Sequence, residues 1–133
     1  MAKLIVNVDG GARGNPGPAA IGVVVRGPDG EVLEEVGERI GEATNNVAEY
    51  RALLRGIELA AAHGAGELEL VGDSELVVRQ IEGRYKVKDA GLKKLHAEAR
   101  RALGAFESWS IRHVRRAGNA DADRLVNEAL DAG

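Results

Sequence analysis

The stretch VDGGARGNPGPAA, Val8 to Ala20, carries an apolar strand into an aspartate and then into a loop dense in glycine and proline. A strand that ends on a carboxylate, with permissive backbone behind it, places a charged group at the end of a sheet where other molecules can approach closely. The fold follows from what surrounds this stretch. Upstream, KLIVNVD, Lys3 to Asp9, reads as a strand buried on both faces. Downstream, AAIGVVVR and EVLEEVGERI read as two more strands, joined by the Pro-Asp-Gly turn signal of Gly27 to Gly30.

The rest of the chain alternates. TNN, Thr44 to Asn46, supplies capping residues for a long helix in which Val47, Tyr50, Leu54, Ile57 and Ala61 form an apolar stripe. Gly64 and Gly66 stop it. ELELVGD, Glu67 to Asp73, is a fourth strand, and SELVVRQI starts a second helix that Gly83 breaks. GLKKLHAEARRAL resumes helical spacing through Leu92, Leu95, Ala99 and Leu103, SWSIRHV is a fifth strand, and a polar loop follows. The last helix buries Ala122, Leu125, Val126, Ala129 and Leu130. Strands separated by helices pair in parallel through crossovers, and a leading hairpin adds antiparallel members. The expected fold is α/β: a five-stranded mixed sheet covered by helices.

With 133 residues and no internal repeat or linker, residues 1–133 read as a single domain. There are no cysteines, which excludes disulfides and thiolate metal sites. No apolar run is long enough to span a membrane and no signal-peptide layout opens the chain, so no membrane partner and a cytoplasmic location are expected. The net charge of −3 does not by itself advertise nucleic-acid binding. Acidic groups gathered at one site would, however, mask cations elsewhere.

Four carboxylates stand out by position. Asp9 ends the first strand and Asp73 the fourth, and these become neighbours if the hairpin occupies the other side of the first strand. Two anions there would repel unless a proton or cation intervenes. Glu49 and Asp123 lie in the first turns of two helices that can approach the same end of the sheet. Each has a plainer reading: an aspartate after a strand is often a turn residue, and an acid in a first helical turn is favoured by the helix dipole. If the four converge, an oxygen-only site suits magnesium or manganese.

DGGARGNPGPAAIGVV, TNNVAEYRALLRGIELA, VGDSELVVRQIEGRYKVK and NADADRLVNEAL, in this order and spacing, resemble type 1 ribonuclease H along essentially the whole chain. The likeness is to the short prokaryotic, reverse-transcriptase-like branch. It implies hydrolysis of the RNA strand of an RNA–DNA hybrid to 5′-phosphate and 3′-hydroxyl ends, using a pair of Mg²⁺ ions, with Mn²⁺ as a substitute. The family's acidic positions fall on Asp9, Glu49, Asp73 and Asp123. By this resemblance Asp9 and Asp73 lie nearest both ions. Glu49 serves the leaving side and the 2′-hydroxyl, and Asp123 the side of the attacking water. Ions about 4 Å apart hold attacking and leaving oxygens in line. Gly10, Gly11, Gly14 and Asn15 are implied to approach 2′-hydroxyls in the minor groove, the mark by which RNA is told from DNA. Gly14 to Gly17 also reads as a tight loop in its own right. Asn45 is implied to contact the substrate strands and Thr44 to be a phosphate ligand; Asn46 either shares the contacts of the TNN turn or only caps its helix. A monomer is expected.

Two departures follow. The long basic protrusion of many members is absent, leaving Arg84, Lys86, Lys88, Lys93 and Lys94 as local positive charge, with Tyr85 either against a sugar or packed beneath the loop. The loop before Asp123 is short. His113 matches by counting a histidine that serves product release in longer members, but strand alternation groups it with Trp109 and Ile111. Arg116 is then the cationic substitute, or simply a solvated loop charge. The competing functional classes are a non-catalytic nucleic-acid-binding module on this fold and a nuclease of resolvase or integrase type, which would lack the Gly-Asn-Pro-Gly loop and the TNN turn.

Overall fold

The computed structural model describes residues 2–132. Strands β1 (Lys3–Ala12), β2 (Gly17–Arg26) and β3 (Val32–Ala43) lead into helix α1 (Asn45–Ala62). Then come β4 (Glu67–Gly72), α2 (Glu75–Ile81), α3 (Ala90–Leu103), β5 (Ser108–His113), a 3₁₀ turn over Arg116–Asn119, and α4 (Ala120–Asp131). One sheet has the order β3-β2-β1-β4-β5. The β1–β2 and β2–β3 pairs are antiparallel, and the β1–β4 and β4–β5 pairs parallel. This is the expected mixed sheet, with β4 beside β1 because β2 takes the other edge.

Alternation along the strands divides the core. Leu4, Val6, Val8, Ile21, Val23 and Val25 face α1 to α3, where Tyr50, Leu53, Ile57, Ile81 and Leu103 meet them. Ala20 and Val24 face α4, against Ala122, Leu125 and Val126. β2 is therefore buried on both faces, whereas β1 is fully buried on one only: Ile5 and Asn7 are half-buried, since α4 lies mainly over β2 and β3.

The buried face of α1 differs from the stripe read from the sequence. Tyr50 and Ile57 are buried, but Ala61 is exposed and Val47 and Leu54 only half-buried. The helix instead lies on Ala48, Ala52, Leu53, Gly56 and Ala60. Small residues at helical spacing bring its backbone close to the sheet, and a pattern drawn from large side chains misses them. A Cβ on Gly56 would stand 2.8 Å from Val8 Cγ1 and 3.0 Å from Val6 Cγ1. Gly56→Ala is therefore expected to destabilise the fold by about 1–3 kcal/mol through overpacking, despite the gain in helix propensity. Urea denaturation of the two proteins measures this directly.

Candidate metal and nucleic-acid site

β1 does not stop at Asp9, as the sequence suggested. Its parallel ladder with β4 ends at Val8–Gly72, but its antiparallel ladder with β2 continues through Asp9–Gly22 to Ala12–Ala19. Asp9 thus marks the point where β1 and β4 part. Asp73 is the first residue beyond β4, just before Ser74, whose hydroxyl caps α2 by accepting from the Val77 amide. The splitting of two parallel strands opens the crevice in which ligands of α/β sheets bind.

Glu49 comes from the helical layer. It is the fifth residue of α1, beyond the first turn, so the helix dipole does not account for it. Its Oε1 accepts a hydrogen bond from the Gly10 amide at 2.7 Å, which aims the carboxylate past the edge of β1. One carboxylate oxygen each from Asp9, Glu49 and Asp73 lies within 4.8 Å of the others. Asp9 and Glu49 are buried and Asp73 half-buried. Without a cation this arrangement is electrostatically poor. Burial, then the Glu49 and Asp73 charges, push the Asp9 carboxyl up from 3.8 to about 10. Burial raises Glu49 from 4.5 to about 7, against the lowering effect of the Gly10 amide. An all-oxygen donor set whose members resist ionising alone fits a hard divalent cation.

Asp123 sits in the first turn of α4, as expected. That helix approaches the sheet closely because Gly22, the partner of Asp9, carries no side chain: a Cβ there would lie 2.2 Å from the Ala122 carbonyl oxygen. Asp123 lines the same open cleft of about 550 Å³ as the other three carboxylates, but it is not part of their close cluster. Asp9, Glu49 and Asp73 thus meet at close range, and Asp123 lines the same cleft, near enough for its charge to act on Asp9. Arg116 Nη2 donates to Asp123 Oδ1 at 3.2 Å, and Asn127 Nδ2 reaches its Oδ2 at 3.4 Å, which holds the fourth carboxylate against its own wall. Arg116 lines the cleft; His113 does not, and is the half-buried last residue of β5, paired with Gly72. Trp109 on that strand is stacked under the Arg100 guanidinium, 5.3 Å from the ring centre.

The loop that follows β1 closes on itself through Arg13 N–H to the Pro18 carbonyl at 2.8 Å, with Gly14 at φ +97. Two asparagines join it to α1. Asn45 Oδ1 accepts from the Ala12 amide at 2.9 Å, and Asn15 Oδ1 accepts from the Asn45 amide at 3.0 Å. With both amide oxygens so engaged, both NH₂ groups remain as donors. Three sequence readings gain detail here. Gly10 has its bare Cα against α1, where a Cβ would stand 2.2 Å from the Ala48 carbonyl oxygen, so helix packing requires the glycine, and Gly10 also lines the cleft. Thr44, not Asn46, is the helix cap, its hydroxyl accepting from the Val47 amide at 3.2 Å. Asn46 lines the cleft instead, and Thr44 is not among the residues that line it. Gly11 has room, with only Val126 Cγ1 at 3.7 Å from a notional Cβ.

The family model described as "Reverse transcriptase-like" matches residues 7–129. Ribonuclease HI of Halobacterium salinarum is 50% identical over 123 residues, covering 92% of this chain and 62% of the relative. The crystal structure of RNase H1 from the same archaeon superposes with a TM-score of 0.96 at 47% identity, over 98% of this chain and 99% of that one. The chain belongs to the ribonuclease H family. A second member, LC11-RNase H1, solved in complex with an RNA/DNA hybrid, matches this ribonuclease H-family chain with a TM-score of 0.92 at 46% identity, over 97% of each. The chain spans 62% of the length of the Halobacterium relative, and 36% of a bifunctional protein of Mycobacterium tuberculosis that is 48% identical over 98% of this chain.

One residue of this ribonuclease H fold escaped the sequence reading. Asn119, buried at 1% exposure, donates from Nδ2 to the Val8 carbonyl at 2.8 Å and accepts from Asn7 Nδ2 at 3.1 Å. It pins the start of α4 to β1 one residue from Asp9. The Gly-Asn pair in which it lies looks like loop chemistry, and a lone polar residue carries no periodic signal. Asn119→Ala is expected to lower stability by about 1–3 kcal/mol, since it strips partners from buried polar groups, and to weaken any activity that needs Asp123 opposite Asp9. A thermal melt and a hybrid-cleavage assay on the same preparation report both effects.

Proposed function

We propose that residues 1–133 act as one ribonuclease H domain that hydrolyses the RNA strand of RNA–DNA hybrids, leaving 5′-phosphate and 3′-hydroxyl ends. The observation that carries this reading is the cluster of Asp9, Glu49 and Asp73 at the point where β1 and β4 part, within a cleft that Asp123 also lines. A relative of 46% identity has been solved with an RNA/DNA hybrid. No described helix is long and apolar enough to cross a membrane. A monomeric, cytoplasmic protein is part of the proposal.

Asp9, Glu49 and Asp73, with Asp123 from α4, are the residues that hold the divalent ions, Mg²⁺ with Mn²⁺ as a substitute. Bound there, such ions relieve charge on the reacting phosphate and supply an activated water. The chain's own residues do the rest. The Gly10 amide fixes the orientation of Glu49. Asn45 and Asn15, their oxygens engaged by backbone amides, offer NH₂ donors to ribose hydroxyls, beside the Gly11 and Gly14 backbone. Arg116 supplies a fixed positive charge beside Asp123 that draws the product phosphate from the site but cannot carry a proton.

The test is cleavage of labelled RNA–DNA hybrid, all-DNA duplex and a DNA duplex with a short RNA insert, with and without Mg²⁺. Metal-dependent cutting of the hybrid and at the insert is expected, with the DNA duplex intact. Comparable cutting of DNA favours a resolvase or integrase type of nuclease, and tight binding without cutting favours a non-catalytic module. Arg116→Ala is expected to lower turnover by about tenfold, the scale of one charge-assisted contact, with little change in hybrid affinity. His113→Ala should act through stability. Steady-state kinetics with melting curves separate these, and the opposite pattern would transfer the role to His113.

A further inference from the structure

Away from the acidic cleft, Gln80 is a buried polar side chain, 4% exposed, that the proposed chemistry does not use. The Tyr50 hydroxyl donates to its Oε1 at 2.5 Å, and its Nε2 donates to the Lys86 carbonyl at 3.4 Å. It therefore links α1, at the residue next to Glu49, to the strap of residues 82–89 between α2 and α3. The ends of that strap make further contacts that a loosened middle would weaken. The Arg79 carbonyl accepts from the Arg84 and Tyr85 amides at 2.9 and 3.2 Å, and Asp89 caps α3 through the Leu92 amide at 3.0 Å. Among the described residues, Gln80 makes the only side-chain hydrogen bond that reaches residues 85–88.

We propose that Gln80 is a positioning residue that keeps the cations of this strap, Arg84, Lys86 and Lys88, in register with Glu49, so that they hold phosphates of the hybrid away from the scissile one. All three cations are exposed. The seven residues of α2 rise about 10 Å from the Asp73 end to the strap, a span of a few nucleotides. A protein of net charge −3 must place its few cations well to hold a polyanion. A strap ordered beforehand avoids the entropy of ordering it on binding.

This inference rests on the hybrid reading above, and its test separates the two. Gln80→Met alone leaves the buried Tyr50 hydroxyl without a partner. The double variant Tyr50→Phe/Gln80→Met replaces both partners with apolar groups of similar shape, which keeps the core filled. In the double variant, KM for the hybrid should rise about tenfold with kcat within about twofold, and the slope of log affinity against log salt should fall by about 1 to 2. Exchange of the Arg84 and Tyr85 amides, the bonded amides of the strap, should accelerate, with the rest of the protein unchanged. Arg84→Ala/Lys86→Ala/Lys88→Ala should reproduce the KM and salt effects with wild-type exchange outside the strap. A folded double variant with wild-type KM, salt slope and strap exchange overturns the role of Gln80, and so does a triple variant with wild-type KM. Wild-type protein that neither binds nor cuts the hybrid overturns the functional reading, and the exchange measurement still decides the link between Gln80 and the strap.

Discussion

Asp9→Asn is expected to abolish hybrid cleavage and at the same time to raise the melting temperature of the metal-free protein. The two effects have one cause. Asp9 is buried beside Glu49 and Asp73, and burial with their charges drives its carboxyl to about 10. In the absence of a cation the fold keeps a proton there that the unfolded chain releases. An amide keeps the size and removes the conflict, so a gain on the order of 1 kcal/mol, or about 5 °C, is expected. The same change removes a carboxylate from the cluster proposed to hold the ions, and turnover should fall below detection. Calorimetric melts in chelator, together with a gel assay in Mg²⁺, test the pair. A variant that cleaves at the wild-type rate, with contaminating nuclease excluded, removes Asp9 from the site.

The sign of the pH dependence follows from the same groups. Both carboxyls are raised in the metal-free fold, Asp9 from 3.8 to about 10 and Glu49 from 4.5 to about 7. Below pH 3.8 neither group favours either state, since both are protonated folded and unfolded. As the pH rises through these ordinary values, the unfolded chain loses protons that the fold retains, and this part of the stability declines. The Glu49 contribution to that decline ends near pH 7, and the Asp9 contribution near pH 10. Divalent cation, which favours the ionised forms, should therefore stabilise most above pH 7. In Asp9→Asn the decline above pH 7 should flatten.

Much of this was legible in the sequence because the information was local. The Pro-Asp-Gly turn forces β2 and β3 into a hairpin, and the helical crossovers then leave only the free side of β1 for β4. Once that order is given, Asp9 and Asp73 must be neighbours. What was not legible depended on contacts between elements distant in the chain. The seat of α1 is decided by Ala52, Gly56 and Ala60, whose lack of bulk gives no hydrophobic signal. Asn119 and Gln80 look like ordinary loop and helix polar residues until the sheet brings Val8, and α1 brings Tyr50, within hydrogen-bond reach. Asp123 was placed on the right helix, but its pairing with Arg116 and Asn127 is a matter of side-chain geometry at one wall of the cleft.

Gly10→Ala should produce the larger combined loss of stability and activity of the two glycine-to-alanine changes in β1. A Cβ at Gly10 would stand 2.2 Å from the Ala48 carbonyl oxygen, 2.3 Å from its carbon and 2.6 Å from the Glu49 nitrogen. All three are backbone atoms in the first turns of α1, so no side-chain rotation relieves the overlap. The helix start must move away from β1 by about 1 Å, and such overpacking costs about 3 kcal/mol or more. The same movement stretches the 2.7 Å bond from the Gly10 amide to Glu49 Oε1 and draws Glu49 away from Asp9 and Asp73. A displacement of that size at a reacting centre lowers turnover by about 100-fold. Gly11→Ala is the control: its Cβ meets only Val126 Cγ1 at 3.7 Å, an ordinary contact. It should melt close to wild type, so that any loss of activity in it reports contact with the hybrid rather than damage to the fold. Melting curves and hybrid turnover for the two alanine variants decide the matter. If Gly10→Ala melts and cleaves like Gly11→Ala, then α1 does not lie against β1 as closely as described, and the positioning of Glu49 by the strand backbone falls with it.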